Sequence, residues 1–142
     1  MSRASSDREA DAVFPLRGFA AELGIRIADW TDGIPHLALD LRPEFLNRNG
    51  AVHGGVIMTL LDSACSVSGC RYVDGAIVGR VVAVSITVNF IAPATSGTLH
   101  ARARLRGGGS KLLMTEGEVT DDDGRLIATA SGVVRRIEEG AR

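Results

Sequence analysis

The chain has 142 residues, 45% apolar and 23% charged, which suits one compact domain better than two. Sixteen Lys and Arg against seventeen Asp and Glu leave a formal charge of -1 with no basic stripe, and four Phe, one Trp and one Tyr are too few for a base-stacking platform, so nucleic acid is excluded as a partner. Cys65 and Cys70 have no second pair and no His-x-x-x-His nearby, which excludes a disulfide framework and a standard structural zinc site. Reduced thiols in a cytoplasmic protein are expected.

Residues 1–10 are polar, lack the apolar run of a secretory peptide and read as a flexible tail. A single domain is expected over 11–137, with a second tail at 138–142. Val81 to Ala101 carries no charge, but Ser85, Thr87, Asn89, Pro93 and Gly97 interrupt it, so it reads as strand and no membrane partner is expected.

In chain order, Ala12 to Leu23 predicts a short helix with Pro15 in its first turn and Gly24 as its stop. Ile25 to Trp30 and His36 to Leu41 predict two strands joined by a Thr31-Asp32-Gly33 turn. A loop over Arg42 to Val52 leads into a long helix, Gly54 to Ser68, whose apolar residues at Val56, Ile57, Leu60, Leu61, Ala64 and Val67 make a wide face. Four strands come after it, Ile77 to Ala92, Gly97 to Arg106, Leu112 to Thr120 and Leu126 to Arg136, with turn residues between them that suggest a meander. The sum is an α+β domain in which about six antiparallel strands curl around one helix. Such a sheet leaves a face open and invites dimerisation.

Chemistry concentrates between Asn49 and Cys70, where Asp62 is the only formally charged side chain. An unpartnered carboxylate on a buried helix is costly, which marks Asp62 as a candidate site residue. The structural alternative places it on a polar stripe with Thr59, Ser63 and Ser66, merely meeting solvent. His53-Gly54-Gly55 stands at the helix entry, where unshielded backbone N–H groups and the positive end of the helix dipole suit an oxyanion; a tight turn would also account for the glycines. Gly54 and Asp62 lie eight residues apart, about 12 Å along a helix, too far to share one reacting carbon within a single chain. A dimer that sets one helix entry beside the other chain's Asp62 solves the geometry.

The series Asn47-Arg48-x-Gly50-x-x-His53-Gly54-Gly55-x6-Asp62 resembles the signature of the hotdog-fold acyl-CoA thioesterases of the PaaI-type (phenylacetic acid degradation) subfamily. Val88-Asn89-Phe90-x-x-Pro93 and Asp122-Asp123-Gly124-Arg125-Leu126-x-Ala128 resemble it too, so the likeness runs from about residue 35 to 136. It implies hydrolysis of an acyl-CoA thioester by a homodimer or dimer of dimers, with no cofactor beyond the coenzyme A of the substrate and no metal. Carried over by position, the Gly54 amide polarises the carbonyl, Asp62 of the facing chain acts as general base or nucleophile, and Asn47 and His53 orient the thioester or water. Some relatives place a serine where this chain has Ala83. Ser66, one turn beyond Asp62, is the first substitute hydroxyl and Ser85 the second, while Gly55 is expected at the substrate as well.

Gly107-Gly108-Gly109-Ser110-Lys111 has the wrong order for a P-loop and reads as a hairpin, with Lys111 or Arg106 as a contact for CoA phosphates. Asp121-Asp122-Asp123-Gly124 reads as a turn, and His36 and His100 as solvent-facing strand residues. Cys65, among apolar helix residues, is expected to be inert. Two other functions compete: a hotdog enoyl-CoA hydratase or dehydratase, against which the missing His-x-Pro-Gly-His pattern counts, and a non-catalytic acyl-CoA-binding module, for which 142 residues hold no second domain to act upon.

Overall fold

A computed structural model describes residues 16–74 and 76–137. Both expected tails and the first residues of the expected first helix lie outside the described residues. The remainder of that helix is α1, Gly18–Leu23, closed by Gly24 at φ 90°, a left-handed cap that glycine adopts without strain. Strands β1, Arg26–Thr31, and β2, Ile34–Asp40, form the expected hairpin, with Asp32 at φ 53° and Gly33 at φ 76° making the tight turn. A 3₁₀ turn, Pro43–Phe45, precedes the long helix α2, Gly54–Ser68.

The apolar run after α2 divides in three. Short strands β3, Arg71–Val73, and β4, Ala76–Val78, pair as a separate hairpin, and the ring of Tyr72 stacks on Trp30 of β1 at 5.7 Å. Gly79 at φ 107° then breaks the single strand expected from Ile77 to Ala92, so the main strand β5 is Arg80–Phe90. Strands β6, Thr98–Gly108, β7, Leu112–Thr120, and β8, Leu126–Ile137, complete the sheet.

All pairing in the six-stranded sheet is antiparallel, in the order β1-β2-β6-β7-β8-β5. The expected four-strand meander is corrected to three: β5 crosses the sheet and pairs with β8, because the long connection over Ile91 to Gly97 lets β6 dock on β2 instead. That topology makes β5 an edge strand. It also matches the hotdog arrangement, since α2 packs on β2, β5, β6, β7 and β8.

The core is the apolar face of α2 set into the inner face of the sheet. Leu60, Leu61, Ala64 and Cys65 are fully covered by Leu37, Leu39, Leu99, Ala101, Val119, Ile127 and Ala128, at about 1.5–3 kcal/mol for each large side chain buried. Small residues on the central strands let the helix sink close: a Cβ added at Gly117 would lie 3.2 Å from Leu61 Cδ2 and 3.3 Å from Cys65 Sγ. Two buried hydroxyls are satisfied, Ser68 Oγ donating to Cys65 O at 2.6 Å and lying 2.9 Å from Thr115 Oγ1, and Thr115 donating to Arg104 O at 3.1 Å. These bonds tie the end of α2 to β7.

Candidate active site

The entry to α2 is held from three sides. Val52 N–H donates to Ala94 O at 2.8 Å and His53 N–H to Phe45 O at 2.7 Å, while Asn47 Oδ1 accepts from the N–H groups of Asn49 and Ala51 at 2.9 and 3.3 Å. Asn47 therefore shapes the loop before the helix, and its amide nitrogen meets no acceptor among the described residues. His53 is the helix cap: its Nδ1 accepts from Gly55 N–H at 2.8 Å. A neutral ring that accepts at Nδ1 carries its proton on Nε2, which fixes the tautomer.

This bond divides the first helical amides. Gly55, expected at the substrate, has its N–H occupied by His53. The N–H of Gly54 has no acceptor among the described residues, and it sits at the positive end of a 15-residue helix. Phe90, at the end of β5, packs on this glycine: a Cβ there would lie 3.1 Å from Cζ and 3.2 Å from Cε1 of the ring. The contact gives the Asn89-Phe90 segment a role that the sequence showed only as part of a motif.

Two turns on, Asp62 lies in a cleft with Met58, Thr59 and the β5 residues Ala83, Val84, Ser85 and Ile86. Thr59 and Ser63 donate their hydroxyls back to the carbonyls of Gly55 and Thr59, each at 2.8 Å, so neither supports the carboxylate. Asp62 has no hydrogen bond or ion pair among the described residues. It is exposed in one chain, yet its crowding by the protein pushes its carboxyl above the ordinary 3.8. Beside it, β5 bulges between Ala83 and Ser85 and leaves Val82, Val84, Phe90 and Ile91 exposed along the edge, with Met58 on the helix. The edge is thus a bare apolar strip next to an unpaired carboxylate.

The other expected residues are dispersed. Ser85 lines the Asp62 cleft, whereas Ser66 lines the neighbouring cavity with Cys70 and Val81. Lys111 is exposed in the β6–β7 hairpin, and Arg106 pairs with Glu116 at 3.3 Å. Cys65 is fully buried and its thiol is pushed up to about 11, chiefly by burial, so it is inert as expected. His36 and His100, expected to face solvent, are half-buried and partnered: His36 Nε2 lies 3.0 Å from His100 Nδ1, and His100 Nε2 meets Asp122 Oδ1 at 2.8 Å. Cross-strand neighbours on the outer face bring them together, a pairing invisible before the order of strands is known.

One helix enclosed by one curled antiparallel sheet defines the hotdog class. Residues 49–128 match the model of the thioesterase superfamily, and the chain belongs to that family; it is a thioester hydrolase. It is 26% identical over 135 residues to the Escherichia coli acyl-coenzyme A thioesterase PaaI, covering 92% of this chain and 90% of that protein. The solved structure of E. coli PaaI superposes with a TM-score of 0.72, covering 95% of this chain and 91% of that one at 26% identity. Thermus thermophilus TT0310 superposes at 0.74 with 27% identity, covering 86% and 100%. Haemophilus influenzae thioesterase HI1161, at 22% identity, TM-score 0.75 and 85% of each chain, shares the fold. Among the described residues no helix is long and apolar enough to cross a membrane.

Proposed function

We propose that this protein is an acyl-CoA thioesterase, hydrolysing a CoA thioester to the free acid and coenzyme A at a site shared between two copies of the chain. The unpaired Gly54 amide carries this reading: a fixed donor at a helix N-terminus suits the negative charge that builds on a thioester oxygen. Asp62 of the partner subunit supplies the base or nucleophile. The rise between the two residues on one helix is about 12 Å, so one reacting carbon meets both only across an interface. The apolar β5 edge supplies that interface, in a homodimer that doubles into a tetramer.

In this scheme the carbonyl oxygen accepts from Gly54 N–H, His53 Nε2–H and the Asn47 amide orient the thioester or water, and Asp62 takes the proton from water or attacks directly. Coenzyme A belongs to the substrate and no cofactor takes part. Two free cysteines suit a reducing cytoplasm.

The test is thiol release from a panel of alkyl- and aryl-CoA thioesters, with enoyl-CoA absorbance followed in parallel. Asp62→Asn keeps volume and removes the charge, so kcat falls by about 10²–10⁴ while KM changes little. Thiol release undiminished in that variant refutes the assignment; hydration of an enoyl-CoA without thiol release replaces it with the hydratase. Since the folded carboxyl holds its proton more tightly than the unfolded one, the charged form is penalised above the folded pKa and the penalty fades as pH falls through it. Asp62→Asn therefore raises Tm at neutral pH, by less in acid.

A further inference from the structure

The groove between α2 and β5 does not end at Asp62. The helix runs on through Ser66 and Val67 to Cys70 while β5 runs back through Val82 and Val81, and these residues, with Ile77 of β4, line a cavity of about 840 Å3. Its lining is largely apolar, with Leu16, Val67, Ala76 and Ile137 beside these residues. The carbonyls of Ser66 and Gly79 both face Cys70 Sγ, at 3.8 and 3.7 Å, and the charged members of the lining, Arg17 and Arg80, are exposed. Ser66 stands one helical turn beyond Asp62, and Val81 lies two residues from Ala83 on the same face of β5, so the two spaces follow one another along the groove between α2 and β5.

We infer that this cavity holds the acyl group of the substrate and that the group is a straight hydrocarbon chain of medium length. The inference rests on the thioesterase reading above. From Asp62 to Ser68, the end of α2, the helical rise is about 9 Å and Cys70 lies two residues beyond; an extended chain gains about 1.2 Å per bond going by backbone reach, so roughly eight to ten carbons span the groove. A chain of that length ends against Cys70 and Ile77. An arylacetyl group fills the Asp62 end and stops short of that wall, leaving apolar surface uncovered.

The experiment is a kcat/KM series on the full chain with acetyl-, butanoyl-, octanoyl-, decanoyl- and phenylacetyl-CoA, below the micelle range. Each buried methylene is worth about fourfold, so octanoyl-CoA exceeds butanoyl-CoA on the order of a hundredfold. Cys70→Phe and Ile77→Trp shorten the groove from two different elements, and each lowers the octanoyl-to-butanoyl ratio at least tenfold, with folding checked by thermal melting. A flat length profile, a preference for phenylacetyl-CoA, or a ratio unmoved in both folded variants overturns this inference and leaves the thioesterase standing. No thiol release from any member of the series overturns both.

Discussion

Replacing Gly54 with proline removes one hydrogen atom from the proposed mechanism and little else from the helix. Gly54 is the first residue of α2, where proline's fixed φ is favoured and no intrahelical hydrogen bond is lost with the N–H. His53, at φ -62° and ψ 135°, already has the extended conformation that a residue before proline requires. The complication is Phe90. Any Cβ at position 54 falls 3.1 Å from its ring against an optimum of about 3.5–4.0 Å, so the ring must retreat by about 0.5 Å. Gly54→Ala makes the same demand but keeps the N–H, and a displacement of that size costs about tenfold in kcat. The proline variant loses a further 10²–10³-fold, equivalent to about 2.7–4 kcal/mol of transition-state stabilisation. Thiol-release kinetics of both variants, repeated in a Phe90→Leu background to remove the ring from the comparison, isolates the amide. A folded proline variant with kcat within tenfold of the alanine variant refutes the oxyanion role.

Val84→Lys places a charge on the exposed β5 edge, and sedimentation should show monomer while thiol release disappears with the shared site; an active monomer contradicts the two-chain arrangement. His36 is pushed down to about 4 by burial, with Arg102 and His100 adding to it, so it stays neutral in the fold while the unfolded chain takes up a proton below 6.5. Its contribution is complete above pH 6.5 and lost as pH falls toward 4, and urea midpoints of His36→Gln should lose part of the slope over that window. Gly117→Ala forces a methyl against Leu61 and Cys65 and should cost about 1–3 kcal/mol in denaturant unfolding.

Much of this molecule is legible in its sequence wherever local rules decide. The helix from Gly54 to Ser68 is bounded by glycines and marked by its apolar spacing, and β7, Leu112–Thr120, has the bounds that the flanking turn residues predict. The split at Gly79 is hidden because a glycine within a β-branched run predicts a bulge as readily as a break. The placement of β5 beside β8 is not legible either, since pairing depends on contacts far apart in sequence. At the site, the sequence marks Gly54 and Asp62 through motif and charge. It does not show that His53 occupies the Gly55 amide, that Phe90 sits on Gly54, or that Ser85 lines the Asp62 cleft, because each depends on where β5 and the preceding loop come to rest.

The inner face of the central strands is a floor of small residues, Ala101 and Ala103 of β6, Gly117 of β7, Ala128 and Ala130 of β8, and on it rests a helix that carries both proposed catalytic groups. The floor sets the height of that helix above the sheet as a shim sets a bearing. Since the oxyanion donor and the carboxylate ride on one rigid rod and act in two different sites, a methyl added beneath the rod displaces a part of each site at once. Turnover is therefore exposed to substitutions that no substrate ever touches, and positions such as Ala101 and Gly117 should tolerate change less well for activity than for folding.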